Sequence, residues 1–298
     1  GGMTSHAALV ARGWGKCCIV GCSALKIDME AKTVSMGGKT YKEGDTLSLN
    51  GTKGTVYEGA VATINASENE LFKQFMQLVD KYRTMGVRTN ADNPKDAQQA
   101  IDFGAEGIGL FRIEHMFYGE NSEKPLAILR KMILSGSTEE RKKWLNELLP
   151  YIKVAVKGTM QVMNGKPVTF RLIDPPLHEF VPHTQENVEA LAKELGIATE
   201  ELNKRIVALE EVNPMMGLRG VRLGITYPEI TETQFRALFE AEAELRKEGF
   251  DPHLEIMVPL TISVTELKHQ KAICDRVHAE VEAAMGAKIE YMYGTMIE

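Results

Sequence analysis

The chain has 298 residues, of which 44% are hydrophobic and 26% charged, a balance that is ordinary for a globular protein and excludes a disordered or collagen-like chain. Lysine and arginine total 35 against 41 acidic residues, so the net charge is −6 and nucleic acid is not expected as the main partner. No apolar run approaches the roughly 20 residues that a membrane helix needs, so no membrane partner is expected. The length predicts about two domains.

Both ends of the sequence predict a piece of a longer protein. It begins Gly1-Gly2-Met3, without an initiator methionine, and stops at Glu298 inside an apolar run that starts at Ile289. The alternative is a tag remnant followed by a short natural carboxyl terminus.

The cysteines predict no metal site. Cys17, Cys18, Cys22 and Cys274 match no common zinc spacing. We interpret them as reduced thiols in a reducing compartment that pack as small apolar residues.

Residues 1–66 predict a small β-rich unit with one helix over 6–12. Turn signals at Gly37-Gly38, 43–45 and Asn50-Gly51 separate short β-type runs at 17–20, 33–36 and 46–49. Because the sequence opens abruptly on a glycine turn, we expect this unit to be the second half of its domain.

A connector helix is predicted over 67–86. Ser67 and Glu70 form a capping box, apolar residues recur at helical spacing, and Gly86 stands where a C-cap glycine belongs.

From Val87 to Glu298, strand-like apolar runs alternate with helical stretches. Strands are predicted at Val87, 107–111, 168–173, 221–225, 254–258 and 289–297. Helices are predicted at 96–103, 138–157, 199–212, 231–247 and 264–285, with Thr231 and Gln234 as a capping box. This alternation indicates an α/β fold with a parallel sheet. Even strand spacing favours an incomplete (β/α)8 barrel, short of two strands, over a doubly wound sheet.

The segment GGMTSHAA places His6 at or near the start of the first predicted helix. Two glycines predict a tight turn, and Thr4 and Ser5 are good N-cap residues. Free backbone amides and the positive end of the helix dipole favour an anion at such a place. An imidazole there could attack phosphorus and carry the phosphoryl group, whereas an ordinary hydrogen-bonding histidine fits the same pattern.

The stretch GGMTSHAALVARGWGKCCIVGC resembles the phosphohistidine segment of the PEP-utilising enzymes. This family includes the pyruvate, phosphate dikinases, phosphoenolpyruvate synthase and enzyme I of the sugar phosphotransferase system, and the cysteine pattern is closest to the dikinases. The resemblance implies that His6 carries the phosphoryl group on a mobile, swivelling β/β/α domain, of which 1–66 is the C-terminal part. Thr4 matches a regulatory phosphorylation site of plant dikinases, although an ordinary capping hydroxyl explains it as well.

Three further segments place arginines at or just after strand candidates. They are GIGLFRIEH at 107–115, FRLIDPPLHE at 170–179 and NPMMGLRGVR at 213–222. Guanidinium groups bind phosphate and carboxylate bidentately, so convergent arginines would suit a small dianionic or trianionic substrate. For any one of them, a surface salt bridge is the alternative.

These segments also resemble the barrel with which the dikinases bind phosphoenolpyruvate and pyruvate. The resemblance implies that Arg112, Arg171 and Arg219 clamp the phosphate and carboxylate of phosphoenolpyruvate, with Asp174 beside them. The chain departs from the family at Ile113, where a threonine is usual.

The last residues, YGTMIE, resemble the family's strand whose terminal glutamate binds Mg²⁺, so the resemblance implies that Glu298 is one ligand of this cofactor. Mg²⁺ prefers oxygen ligands and keeps several waters. The family's next carboxylate ligand and its catalytic cysteine match no residue of this sequence, and Cys274, in a helical pattern, is interpreted as packing.

The resemblance spans 1–298 and identifies the chain as part of an enzyme that interconverts ATP, phosphate and pyruvate with AMP, diphosphate and phosphoenolpyruvate through a phosphohistidine. Because the family's nucleotide-binding domain would precede Gly1, the chain alone is not expected to run the full cycle. The resemblance also implies a homodimer, and a cytoplasmic location is expected, with an organellar form as the alternative.

Three alternatives stay open at this stage. Phosphoenolpyruvate synthase, or another PEP-utilising phosphotransferase, would use the same motifs with another acceptor. A non-catalytic phosphocarrier or regulatory module would need His6 alone. A barrel for another substrate would leave His6 with a structural role.

Overall fold

The computed structural model describes residues 2–13, 16–63, 69–119 and 121–298. The chain forms two compact units, Gly1–Lys81 and Tyr82–Glu298. In the described parts of the chain, no helix combines the length and apolar character needed to cross a bilayer.

In its described residues, the first unit consists of small antiparallel sheets and two helices. Strands β1–β3 form one sheet in that order, and β4 pairs with β5. Gly37 and Gly38, with φ of 57° and 78°, form the turn between β2 and β3, a conformation in which residues with a side chain are strained. The elements are α1 His6–Gly13, β1 Lys26–Asp28, β2 Thr33–Met36, β3 Lys39–Lys42, β4 Leu47–Asn50, β5 Thr55–Glu58 and α2 Glu70–Tyr82.

Two predictions for this part of the chain need correction, and a third cannot be compared. Residues 17–20 form no strand, and α2 ends at Tyr82, so Gly86 is not its cap. The Asn69 side chain accepts hydrogen bonds from the amides of Leu71 and Phe72 at 3.0 and 3.3 Å, at the start of α2. The predicted cap Ser67 lies outside the described residues.

The second unit is built around one sheet of five parallel strands, so the predicted α/β fold is confirmed. The strands follow one another across the sheet in chain order, without the reversal that a doubly wound sheet has. They are β6 Arg88–Asn90, β7 Gly107–Arg112, β8 Pro167–Arg171, β9 His253–Val258 and β10 Tyr291–Thr295.

Eight helices and two 3₁₀ turns accompany these strands in the described part of the second unit. The 3₁₀ turns, Ile113–Phe117 and Leu177–Phe180, follow β7 and β8. The helices are α3 Pro94–Asp102, α4 Glu123–Ile133, α5 Thr138–Val162, α6 Gln185–Leu195, α7 Thr199–Leu209, α8 Gly220–Thr226, α9 Pro228–Lys247 and α10 Val264–Met285.

Of the six predicted strands, the fourth, 221–225, is wrong because this segment forms α8. Its apolar residues Val221 and Leu223 are buried, as they would be in a strand, and a short apolar run cannot distinguish the two states. Gly224 permits close helix packing, since a Cβ there would lie 2.4 Å from the Thr231 hydroxyl. The predicted capping box at Thr231 is also wrong, because Pro228 begins α9 and Thr231 is buried inside it.

One hydrophobic core lies between the sheet and the helices of the second unit. Ile108, Phe111, Val168 and Phe170 are fully buried, and the Phe111 and Phe170 rings pack with their centroids 4.9 Å apart. This burial holds β7 and β8 rigidly, so the residues at their carboxyl ends have fixed positions.

Candidate functional site

The carboxyl ends of the parallel strands bring two of the predicted arginines side by side. Arg112 is the last residue of β7 and Arg171 the last residue of β8, and the two are direct partners in the strand register. Residues beyond the carboxyl ends of parallel strands meet at one edge of a sheet, which is where α/β enzymes place their sites.

Asp174 joins two of the predicted arginines. Its Oδ2 lies 3.1 Å from Nη1 of Arg171 and 2.7 Å from Nη2 of Arg219. The Asp174 backbone carbonyl accepts a second hydrogen bond from Nε of Arg219 at 3.1 Å. The carboxylate is 7% exposed, so water screens these contacts little. Asp174, Arg171 and Arg219 therefore form one connected group.

Arg219 reaches this group from a helix start rather than from a strand. It is the N-cap residue of α8, with extended backbone, and the next amide, of Gly220, donates to the Asp174 carbonyl at 3.1 Å. Gly220 has a φ of +54°, and a Cβ there would approach the Leu260 side chain to 2.9 Å. A glycine is thus required to bring the chain close enough for the Arg219–Asp174 contact.

Glu114 is a member of the cluster to which the sequence analysis assigned no role. It lies in the 3₁₀ turn after β7, its side chain is 2% exposed, and it forms a short ion pair with Arg171. Burial raises its pKa, against the opposing effect of the Arg171 charge. Glu114 also acts electrostatically on Arg112. The pKa of Arg112 is raised mainly by its hydrogen bond to Asp92, and the negative charges of Asp92 and Glu114 raise it further, whereas partial burial opposes the rise.

Arg112 is held by Asp92, a residue that sequence reasoning missed. Nη2 of Arg112 lies 2.5 Å from Oδ2 of Asp92. Nε and the backbone amide of Arg112 donate hydrogen bonds to Oδ1 of Asp92 at 3.2 and 2.9 Å. Nδ1 of His115 lies 3.1 Å from the same Oδ2. Burial raises the pKa of Asp92, but the hydrogen bonds from His115 and Arg112 outweigh it and lower the pKa well below its usual range.

The sequence features that could have identified the missed residues differ from one residue to another. Glu114 and His115 stand in the quoted segment GIGLFRIEH, where the arginine alone was assigned a role. Asp92 follows β6, which the sequence analysis reduced to Val87, so its place after a strand could not be recognised. A strand boundary at Asn90 would have indicated that Asp92 lies at the same edge as Arg112.

Glu298 lies beyond the carboxyl end of β10 and is exposed. Its Oε1 accepts a hydrogen bond from the Leu260 amide at 2.9 Å. In the described part of the chain, no group of three or more His, Cys, Asp and Glu residues is placed to hold a metal ion. A single exposed carboxylate suits Mg²⁺, which proteins often bind through one or two carboxylates together with substrate phosphates and water.

His6 and Thr4 belong to the first unit. His6 begins α1 and is exposed, as is Thr4. Ser5 starts the helix, because its carbonyl accepts from the amides of Ala8 and Leu9 at 3.0 and 3.1 Å and its hydroxyl from Ala8 at 3.4 Å. The imidazole of His6 is thus accessible at the positive end of the helix.

Comparisons with known proteins agree with this distribution of features. The sequence matches the family described as "PEP-utilising enzyme, PEP-binding domain" over 66–298 and "PEP-utilising enzyme, mobile domain" over 1–54. It is 48% identical to pyruvate, phosphate dikinase of Clostridium symbiosum, over 100% of this chain and 34% of that protein.

Two further relatives carry the same name. The Giardia intestinalis protein is 46% identical over 100% of this chain and 33% of its own length, and the chloroplastic protein of Flaveria trinervia is 46% identical over 100% and 31%. The chain therefore spans about a third of the length of the curated relatives it matches.

Proposed function

The chain belongs to the PEP-utilising enzyme family, and from this premise we propose that it performs the phosphoenolpyruvate and pyruvate steps of a pyruvate, phosphate dikinase. The whole reaction would interconvert ATP, phosphate and pyruvate with AMP, diphosphate and phosphoenolpyruvate. In this proposal the second unit binds phosphoenolpyruvate, and His6 of the first unit exchanges its phosphoryl group. The ATP-binding domain, the homodimer and a cytoplasmic or organellar location, all expected from the sequence analysis, stay predictions.

The convergence of Arg171 and Arg219 on one carboxylate of Asp174, with Arg112 in register beside Arg171, is the observation that carries this proposal. Phosphoenolpyruvate presents a phosphate and a carboxylate on a small carbon frame. Each anionic group matches the planar fork of a guanidinium, and the positive charge neutralises the charge that spreads over the transferring phosphoryl group.

Asp92 and Asp174 act as positioning residues in this proposal. Their hydrogen bonds fix the guanidinium groups of Arg112 and of Arg171 with Arg219 before any substrate binds. A preorganised guanidinium loses little side-chain freedom on binding and holds donor and acceptor in line.

The phosphoryl step makes and breaks one bond to phosphorus. The imidazole of His6 would attack the phosphorus of phosphoenolpyruvate, a nitrogen–phosphorus bond would form and the enol oxygen would leave with the electron pair. The resulting enolate becomes pyruvate when its methylene carbon takes up a proton. Exposure of His6 at the start of α1 supports this role, since an incoming phosphoryl group would meet free backbone amides there.

Glu298 would hold Mg²⁺ together with oxygens of the substrate and water. When bound, the ion would supply positive charge to the phosphoryl and enolate oxygens.

The domain architecture of the chain belongs to the same proposal. The chain order of five parallel strands supports an incomplete (β/α)8 barrel over 87–298, joined by a connector at 67–86 to a mobile phosphohistidine domain over 1–66.

The alternatives differ in what they require of the arginine cluster. A phosphocarrier or regulatory module needs His6 but no cluster of guanidinium groups, so the network around Asp174 argues against it. A phosphoenolpyruvate synthase would use the same cluster, with water in place of phosphate as the acceptor. Because the relatives are named pyruvate, phosphate dikinase, they favour a dikinase over the synthase.

The phosphocarrier role is tested by intact mass after mixing the chain with phosphoenolpyruvate and Mg²⁺. We expect an acid-labile gain of one phosphoryl group that is absent from His6→Ala. His253→Ala is the matched control, because His253 is also exposed but is the first residue of β9, at the amino end of the strand. A gain that survives in His6→Ala, or no gain in any chain, would contradict the role of His6.

The substrate site is tested by titrating phosphoenolpyruvate against Arg219→Ala. We expect the dissociation constant to rise about 10- to 100-fold, which corresponds to the loss of one charged hydrogen-bonded contact. Arg276→Ala is the control, since Arg276 forms ion pairs with Glu232 and Glu280 on the surface of α9 and α10. Equal affinities in both variants would leave the arginine site without support.

A further inference from the structure

Three buried polar atoms of the arginine cluster have no hydrogen-bond partner within the described residues. They are Oε2 of Glu114, Nε of Arg171 and Oδ1 of Asp174. Buried polar groups are nearly always paired, because an unpaired one loses its hydrogen bonds to water without replacement. All three atoms belong to residues joined by ion pairs through Arg171. The cluster therefore has unused donor and acceptor capacity at one place.

The charges of the cluster are balanced before substrate binds. Guanidinium groups of Arg112, Arg171 and Arg219 face the carboxyl groups of Asp92, Glu114 and Asp174. Phosphoenolpyruvate adds a carboxylate and a phosphate, so every ionised carboxylate that stays in place repels it at short range. Protonation of one carboxylate would remove its repulsion of the substrate and would release its arginine partner to bind the substrate.

Of the three carboxyl groups, Glu114 is the one best placed to be neutralised by a proton. Its side chain is 2% exposed, against 7% for Asp174 and 13% for Asp92. Asp174 is held by two guanidinium groups, and Asp92 by Arg112 and His115. Glu114 has one ion-pair partner, and its second oxygen is unpaired among the described residues.

We propose that Glu114 is a positioning residue that takes up a proton from solvent when phosphoenolpyruvate binds, which frees Arg171 for the substrate. The step adds one proton to the Glu114 carboxylate, breaks no covalent bond and converts its ion pair with Arg171 into a hydrogen bond to a neutral acid. This inference rests on the proposed function, because it requires phosphoenolpyruvate to bind at the arginine cluster.

The surroundings of Glu114 favour the neutral acid. The charged groups that act on it are Arg171 and Asp174, and Arg112 lies within its electrostatic range. Tyr118, whose pKa is raised to about 12 by burial and by Glu179 and Glu114, is neutral at ordinary pH. Around the same 3₁₀ turn, α4 and α5 present the apolar residues Leu129, Met132, Leu145, Leu148 and Ile152.

The direction of the pH effect follows from the burial of Glu114. Burial already raises the pKa of the free carboxyl group, and a bound anion raises it further. Between these two pKa values binding takes up a proton, so affinity falls as the pH rises. For one proton the dissociation constant changes up to tenfold for each pH unit.

Calorimetric titration of the chain with phosphoenolpyruvate, at constant Mg²⁺ and in two buffers of different ionisation enthalpy, measures this uptake directly. Measurements from about pH 8 to 8.5 lie about two units above the second phosphate pKa of about 6, so the ligand itself contributes almost no proton exchange. We expect net uptake of up to one proton. Binding without uptake overturns the inference and leaves the proposed function intact, whereas absence of binding overturns both.

Variants assign the proton to its residue. Glu114→Gln should bind phosphoenolpyruvate without proton uptake and with a flat pH profile, and Glu114→Asp should restore the uptake. Glu255→Gln is the matched control, because Glu255 also pairs with an arginine, Arg88, but the pKa of its carboxyl is lowered. Unchanged uptake in Glu114→Gln would overturn the assignment. If Glu114→Gln does not fold, Glu114→Asp decides the assignment: uptake should persist with a shifted pH midpoint, and a pH profile identical to that of the unaltered chain would overturn it.

Discussion

The two units of this chain differ in where their apolar residues lie. Among the described residues of the first unit, Ala8 is the one buried residue, whereas a continuous apolar core fills the second unit. Short antiparallel strands and glycine turns shape the first unit, and its candidate nucleophile His6 is exposed. In the second unit the core fixes strand ends that carry buried charges. The comparison indicates that the fold of the first unit is determined mainly by its turn residues, whereas the fold of the second unit is determined by the packing of its core.

The largest effect should come from removing a core side chain of the second unit. Phe170→Ala deletes a fully buried ring that packs on Phe111, so the free energy of unfolding should fall by about 3–5 kcal/mol. Val56→Ala, at a position of β5 that is 36% exposed, should change it by less than about 0.5 kcal/mol. Urea unfolding of both variants checks the contrast, and equal losses would contradict it.

A smaller effect should come from the charged groups. Asp92→Asn removes the acceptor charge shared by Arg112 and His115, and we expect a loss of about 2 kcal/mol at pH 7. Because the pKa of Asp92 is lowered in the folded chain, its contribution is complete above the unfolded value of about 4 and disappears as the pH falls through the lower folded value.

The corresponding change in the first unit is Glu58→Gln, which breaks the exposed pair with Lys39. We expect no measurable loss, because water screens exposed ion pairs. Unfolding measured from pH 3 to pH 7 should show the Asp92→Asn difference growing with pH and the Glu58→Gln difference absent. A difference for Asp92→Asn that does not depend on pH would refute the role of its charge.

The smallest effect should come from the turn between β2 and β3. Gly38→Ala places a Cβ on a residue with a φ of +78°, which should cost about 1 kcal/mol although nothing lies within 4 Å. Gly2→Ala is the control, because Gly2 has free space around it and no positive φ. Hydrogen exchange of the β2–β3 amides should report the loss locally. If both variants exchange alike, the turn does not limit this hairpin.

The sequence predicted the parallel α/β class because apolar periodicity reports burial directly. Prediction failed where burial alone is ambiguous. Residues 221–225 are as apolar as a strand but form α8, since Gly220 and Gly224 let a helix pack closely there. Thr231 has the spacing of a cap, yet Pro228, which suits the first helical turn, starts the helix earlier.

The candidate site was predicted in part. Arginines at strand ends could be expected to meet, and Arg112 and Arg171 are partners in the strand register. Arg219 joins Arg171 at Asp174 from the start of α8, which was not predicted. Their role toward substrate stays a prediction, as do those of His6, Thr4 and Glu298. The carboxyl groups of Asp92 and Glu114 were not predicted, because a pairing partner far along the chain leaves no local pattern in the sequence.

The chain order of the five strands also bears on how the second unit assembles. Each strand after β6 pairs with the strand that precedes it in the chain, so a strand that leaves the ribosome can dock on the one made before it. The spans to be closed range from Arg88–Gly107 to Val168–Leu254. Closure entropy grows only logarithmically with span, so even the longest connection costs about 1 kcal/mol more than the shortest. During synthesis the arginine cluster can therefore assemble in steps, with Arg112 placed before Arg171 and Arg219 joining them last.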